Sequence, residues 1–220
     1  MDKSKIIKLF LPPKCVFCST VITEGAVCAE CGTKANQLKI EEYARDIKHN
    51  CFKHLDRCIS FYYYRDTVRD GLLYAKFKSC GSFLDGFIEC MGFDFEKFAA
   101  ENKIDVVISM PAHKSKFYTQ EYDLPQEMAR RIAKRYNLQY NKDLVTKIKK
   151  TKSQHELNYS QRKSNLNGAF RLNTEVKGKN ILIIDDIVST GYSLEETAKC
   201  LKKGGAAAVM AVTFAYNNKI

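Results

Sequence analysis

Long apolar runs are missing from this sequence. No stretch of about 18 consecutive apolar residues occurs, which excludes a helix that crosses a bilayer and predicts no membrane insertion. The apolar residues 6–11 stop at Pro12-Pro13 and are too short for the core of a secretion signal, so a cytoplasmic protein is expected. An even cysteine count is missing too. Nine cysteines without a secretory signal argue against a disulfide framework and for metal ligands or free thiols. Acidic residues are few, 25 against 36 Lys and Arg, leaving a formal charge of +11. Such an excess favours a polyanionic partner, nucleic acid or a phosphorylated metabolite, although a solvated basic surface carries the same signature. Four zinc-bound thiolates would lower the charge only to about +9. The length of 220 residues suits one α/β domain with a small appendage.

What is present is organised around residues 181–191, Ile-Leu-Ile-Ile-Asp185-Asp186-Ile-Val-Ser189-Thr190-Gly191. Four aliphatic residues after a Gly178-Lys179-Asn180 turn predict a buried parallel strand, with both carboxylates at its carboxyl end and facing solvent. A helix is predicted from about 193 to 203. The turn of Ser189, Thr190, Gly191, Tyr192 and Ser193 then offers hydroxyls and backbone N–H groups at a helix N-terminus, where a phosphate binds well. Carboxylates beside such a turn suit a phosphorylated sugar, since the acids can hold hydroxyls or Mg2+ and the turn the phosphate. A bare Asp-Asp pair is more often a helix cap than a site; the whole eleven-residue string is what sets this one apart. It resembles the diphosphoribosyl-binding signature of type I phosphoribosyltransferases, with Ser189 in place of a Thr.

The second signal is Cys15-x2-Cys18-x9-Cys28-x2-Cys31. Two such knuckles bring four thiolates to one ion and leave no open position, so a structural zinc site is predicted. Nothing around it is periodic enough for a core of its own, and zinc is expected to supply folding energy. Cys51-x2-His54, with His49 and Cys58 nearby, admits a second half-site, but Cys58 falls within the alternating strand 57–64 and no second site is expected. Residues 33–50 read as a polar, partly helical linker. The division expected is residues 1–50 for the zinc ribbon and linker and 51–220 for a phosphoribosyltransferase-like domain.

Along that domain the alternation of residues 58–64 predicts a strand whose aromatics pack. Residues 67–78 predict an amphipathic helix bearing Lys76, and 82–100 a helix despite Gly86 and Gly92, with Phe83, Phe87, Phe93, Phe95 and Phe98 packed. Residues 104–109 predict a parallel strand ended by Met110-Pro111. The basic loop after it, with Pro111, His113 and Lys114, suits a pyrophosphate or a solvated surface equally. A helix from Pro125 to about 136, a strand at 143–148, a polar basic loop at 149–165 and a last strand at 206–216 complete a mostly parallel α/β sheet flanked by helices.

Taken together, the chain resembles the ComF family of competence proteins (ComFC type), which are amidophosphoribosyltransferase-like with an N-terminal zinc ribbon. The likeness runs through Leu9-Phe10-Leu11-Pro12-Pro13-x-Cys15, both cysteine pairs, Lys76-Phe77 and Pro111-x-His113. It continues through Thr151-x2-Gln154-x2-Leu157-x4-Arg162-x2-Asn165-x2-Gly168-Ala169-Phe170 and the Asp-Asp signature. The resemblance implies a type I phosphoribosyltransferase-like fold and a role in natural transformation, handling incoming single-stranded DNA beside other DNA-uptake proteins. It implies a site for phosphoribosyl diphosphate or a nucleotide, with Mg2+, at Asp185, Asp186 and residues 189–193. Lys76, Pro111, His113 and Lys114 fall at its pyrophosphate side, and Lys147, Lys149, Gln154 and Arg162 on a lid or nucleic-acid surface. The family's Arg-Gly-Phe-Asn-Gln becomes Gln120-Glu121-Tyr122-Asp123-Leu124 here, and two of its arginines become Lys147 and Lys149, which keep charge but lose the bidentate fork. Weak pyrophosphate binding is expected; an active pentosyl transferase acting on another nucleophile is the alternative.

Overall fold

The structure, a computed structural model, describes residues 12–78, 81–113, 123–149 and 166–218. In chain order these form α1 (Ala29–Asn36), a 3-10 turn (Glu42–Ala44), β1 (Arg57–Tyr63), α2 (Asp66–Lys78), α3 (Gly81–Asn102) and β2 (Val106–Ser109). Then come α4 (Leu124–Arg135), β3 (Gln139–Tyr140), β4 (Val145–Lys147), β5 (Phe170–Leu172), β6 (Asn180–Val188), α5 (Tyr192–Lys203) and β7 (Ala208–Tyr216). Five strands make one parallel sheet in the order β1-β7-β6-β2-β3, while β4 and β5 pair antiparallel as a separate ribbon.

Strand β6 is central and buried on both sides, which is why it reads as a continuous aliphatic run. Its alternation divides the interior in two. Leu182 and Ile184 join Phe61, Phe87, Met128 and Phe214 on the face covered by α2, α3 and α4; Ile181 and Ile183 join Leu194, Ala198 and Leu201 of α5 with Val145 and Phe170 of the ribbon on the other. The chain leaves β2 through α4 to β3 on one side and leaves β6 through α5 to β7 on the other. The strand order therefore reverses between β2 and β6, and the crevice at their carboxyl ends is where an open α/β sheet takes its ligands.

The first cysteine knuckle is built into this core. Val16 and Phe17 are buried, and the Phe17 ring meets Phe87, Tyr62 and Phe214 at centroid distances of 6.2, 6.3 and 6.4 Å. Glycines of two helices make room for it: a Cβ on Gly71 of α2 would stand 2.7 Å from the Val16 carbonyl, and one on Gly86 of α3 would collide with the Val16 side chain. Residues expected to be a polar linker also join the fold. Ile40 and Ile47 are buried, and their N–H groups donate to the Phe61 and Cys58 carbonyls, so residues 38–47 run antiparallel along the outer edge of β1.

Three expectations need correction. The strand expected at 143–148 is the short β4, and it pairs with β5, which carries no periodic signal, instead of extending the parallel sheet. Phe93 is 75% exposed, because Gly92 (φ 38°, ψ −129°) breaks the helical path of α3 just before it. Asp186 is not a solvent-facing residue: it is 6% exposed, since β6 runs on to Val188 and alternation turns this side chain toward α2.

Candidate sugar-phosphate site and cysteine cluster

Asp185 and Asp186 diverge to opposite faces of β6. Asp185 is partly buried on the α5 side, and one of its oxygens accepts the Asp186 N–H at 2.9 Å. Asp186 faces α2, where the Lys76 ammonium stands 2.7 Å from its carboxylate. Burial alone would depress the pKa of Lys76, but the attraction of Asp186 and then Asp185 outweighs it and holds the value above the ordinary lysine range. The lysine singled out by sequence and one of the two acids are thus brought together.

Past Val188 the chain turns through Ser189 and Thr190 to Gly191, whose φ of 70° is left-handed and costs glycine nothing. Helix α5 begins at Tyr192 with no side-chain cap from Gly191, beside a cavity of about 120 Å³ lined by Asp185, Ser189, Thr190, Gly191 and Ser193 among others. Thr190 is 1% exposed and its hydroxyl oxygen has no hydrogen-bond partner among the described residues. Buried hydroxyls are normally satisfied, so this turn has the character of a cradle awaiting a polar group.

Pro111 and His113 follow β2, the strand paired with β6, with Met110 N–H donating to the Ile184 carbonyl at 2.8 Å. Lys147 and Lys149 lie on and after β4. The Lys147 ammonium stands 5.8 Å over the Phe170 ring, and Lys149 donates to the Asn167 carbonyl at 2.8 Å. Lys114, Gln120, Glu121, Gln154 and Arg162 fall outside the described residues.

Sequence reasoning missed the residues behind the turn. Cys51 donates its thiol to the Thr190 carbonyl at 3.2 Å, and Glu195 accepts N–H groups from residues 53–55. Burial, with Glu195 next, pushes the Cys51 thiol up to about 11, so it is a neutral donor. The pairing joins residues 139 apart, and local patterning carries no signal for it.

Cys15, Cys18, Cys28 and Cys31 place their sulfurs within 4.8 Å of one another, the one group of this kind among the described residues. Zinc–sulfur bonds of about 2.3 Å in a tetrahedron put the sulfurs about 3.8 Å apart. Cys18 and Cys28 stand at 3.8 Å. Burial pushes the Cys31 thiol up to about 12, whereas at Cys18 burial is outweighed by hydrogen bonding with Thr20 and the pKa falls to about 7. The donor set fits a single ion held by Cys15, Cys18, Cys28 and Cys31, a metal such as zinc.

Comparison with known proteins bears on the carboxyl-terminal part. The phosphoribosyl transferase domain family matches residues 126–219. DNA utilization protein YhgH of Escherichia coli (strain K12) is 32% identical over 105 residues, covering 48% of this chain and 46% of that protein. Competence protein F of Haemophilus influenzae is 24% identical over 104 residues, covering 46% and 45%. The chain is a homologue of the ComF family. The match spans about half the length of these curated relatives. Among solved structures, a purine phosphoribosyltransferase from Pyrococcus horikoshii Ot3 overlays with 18% identity and a TM-score of 0.38, over 61% of this chain and 77% of that one. In this ComF homologue the turn at 189–193 lies inside the matched domain, while Lys76, residues 49–55 and the cysteine cluster lie outside it.

Proposed function

We propose that this chain is a competence or DNA-utilisation protein that handles single-stranded DNA in the cytoplasm and binds phosphoribosyl diphosphate or a nucleotide, by its 5′-phosphate, in the turn of residues 189–193. The observation that carries the reading is the Thr190 hydroxyl, buried without a partner beside the uncapped start of α5. Ser189, Thr190 and the N–H groups of the turn would hold the phosphate. Asp186 already faces Lys76, so Asp185 is the carboxylate for ribose hydroxyls or for Mg2+ brought by a diphosphate. Magnesium would supply charge neutralisation there. Pyrophosphate affinity is low in this reading, with Gln120 in place of an arginine, and turnover is slow or absent. The charge of +11 supports the nucleic-acid half of the proposal, with Lys147, Lys149 and the basic residues 130–135 as contacts.

Calorimetric titration with adenosine 5′-monophosphate and with phosphoribosyl diphosphate tests the site. Asp185→Asn and Thr190→Val should each weaken binding by about tenfold, the worth of one or two lost hydrogen bonds. Changing Asp186 would be a poor test, because it strands Lys76. Binding untouched by both variants would place the phosphate elsewhere; release of pyrophosphate at a steady rate would favour the transferase reading. Single-stranded DNA should bind with affinity that falls by orders of magnitude between low and moderate salt, if about four to six phosphates are neutralised. A flat salt titration counts against the DNA role.

A further inference from the structure

The phosphate turn is held from behind by a segment the phosphoribosyl transferase match does not include. Glu195, in the first turn of α5, is 6% exposed. One of its oxygens accepts the backbone N–H groups of Lys53, His54 and Leu55 at 3.0, 3.1 and 3.3 Å, and the other stands 2.7 Å from His54 Nδ1. The Glu195 N–H in turn donates to the Gly191 carbonyl at 2.9 Å. From the same segment Cys51 donates to the Thr190 carbonyl, and the Phe52 ring lies so close under Gly191 that a Cβ there would stand 2.8 Å from its Cζ. Contacts therefore fix Thr190, Gly191 and the first turn of α5, and none of residues 51–55 that make them lines the cavity at the turn.

Glu195 has an electrostatic problem to solve. A carboxylate in the first turn is attracted by the helix N-terminus, the place an incoming phosphate needs. Three N–H donors and an imidazole hold its charge away from that place and satisfy it where burial would otherwise be costly. The geometry points to residues 49–55 as the positioning element of the phosphate turn, with Glu195 as the pin that keeps the turn open and preformed for a 5′-phosphate. This rests on the reading that the turn binds phosphate.

The test uses the full chain, with adenosine 5′-monophosphate and adenosine as paired probes and amide exchange at residues 190–194 as a readout independent of ligand. Glu195→Gln should bind the monophosphate about tenfold more weakly, because a neutral amide replaces charge-assisted bonds, and leave adenosine binding unchanged. Exchange at 190–194 should quicken. Cys51→Ser, which keeps a donor for Thr190, should behave like the wild type, whereas Cys51→Ala should not; this pair decides the matter if Glu195→Gln fails to fold. Quickened exchange confined to residues 53–55, or Cys51→Ala indistinguishable from Cys51→Ser, overturns the inference. A wild type that shows no phosphate-dependent binding sinks the proposed function, while the exchange data still judge the brace.

Discussion

Lys76 reaches the ligand end of the sheet from α2, and its ammonium stands 2.7 Å from the Asp186 carboxylate. Removing one member of a partly buried pair costs more than the pair is worth, because the other charge stays behind. Lys76→Met should therefore lower stability by about 3 kcal/mol, and adding Asp186→Leu should recover most of it. Urea unfolding of the two variants measures both steps, and a Lys76→Met chain as stable as the wild type would contradict the assignment. Its pH dependence follows from the raised lysine pKa. The contribution is fully present below the ordinary lysine value of about 10.4 and is lost as pH rises through the higher folded-state value, so the wild-type advantage should be equal at pH 7 and pH 9. The two acids were legible in the sequence. Their divergence follows from the period of a strand, but nothing local announces that Lys76 meets one of them.

The cysteine knuckle and the two helices under it make a single packed unit. Gly86 reads in sequence as a tolerable weakness of its helix; in the structure it and Gly71 are the floor on which Val16 and Phe17 rest. Gly71→Ala should gain about 1 kcal/mol of helix propensity and lose more to overpacking, since the Val16 carbonyl and Phe17 Cα it meets are backbone and cannot easily move aside. A net loss of about 1–2 kcal/mol by chemical denaturation is expected, and a stabilised variant would show that the knuckle is loosely held. The longer elements were legible for a plain reason: β1, β2, β6, β7 and helices α2 to α5 carry apolar patterns long enough to have a period. Strands β3 and β5, of two and three residues, have none, and tertiary pairing alone defines them; β4 is legible as a strand, but its antiparallel partner is not. Phe93 shows the reverse error, an aromatic in a helical run that a left-handed glycine redirects outward.

For the molecule as a whole, the cysteine cluster and the sheet share one core. Zinc removal by chelation, or Cys28→Ser, should lower the melting temperature of the entire chain by about 5 °C or more, at about 2–4 °C for each kcal/mol in a protein of this size. Elemental analysis should find one zinc per wild-type chain. Melting unchanged by chelation would show the knuckle to be an independent appendage. Zinc retention should also fail as pH drops, because protons compete for the thiolates. The position of Phe17 has a consequence for synthesis. Within the parallel sheet β1 pairs with β7, and Phe17 packs against Phe214 of that same strand, so both find these partners only once residues 208–216 have been made. A chain emerging from the ribosome carries the knuckle and β1 without these partners until residues 208–216 are free, and over that interval it exposes apolar surface and an unpaired strand edge.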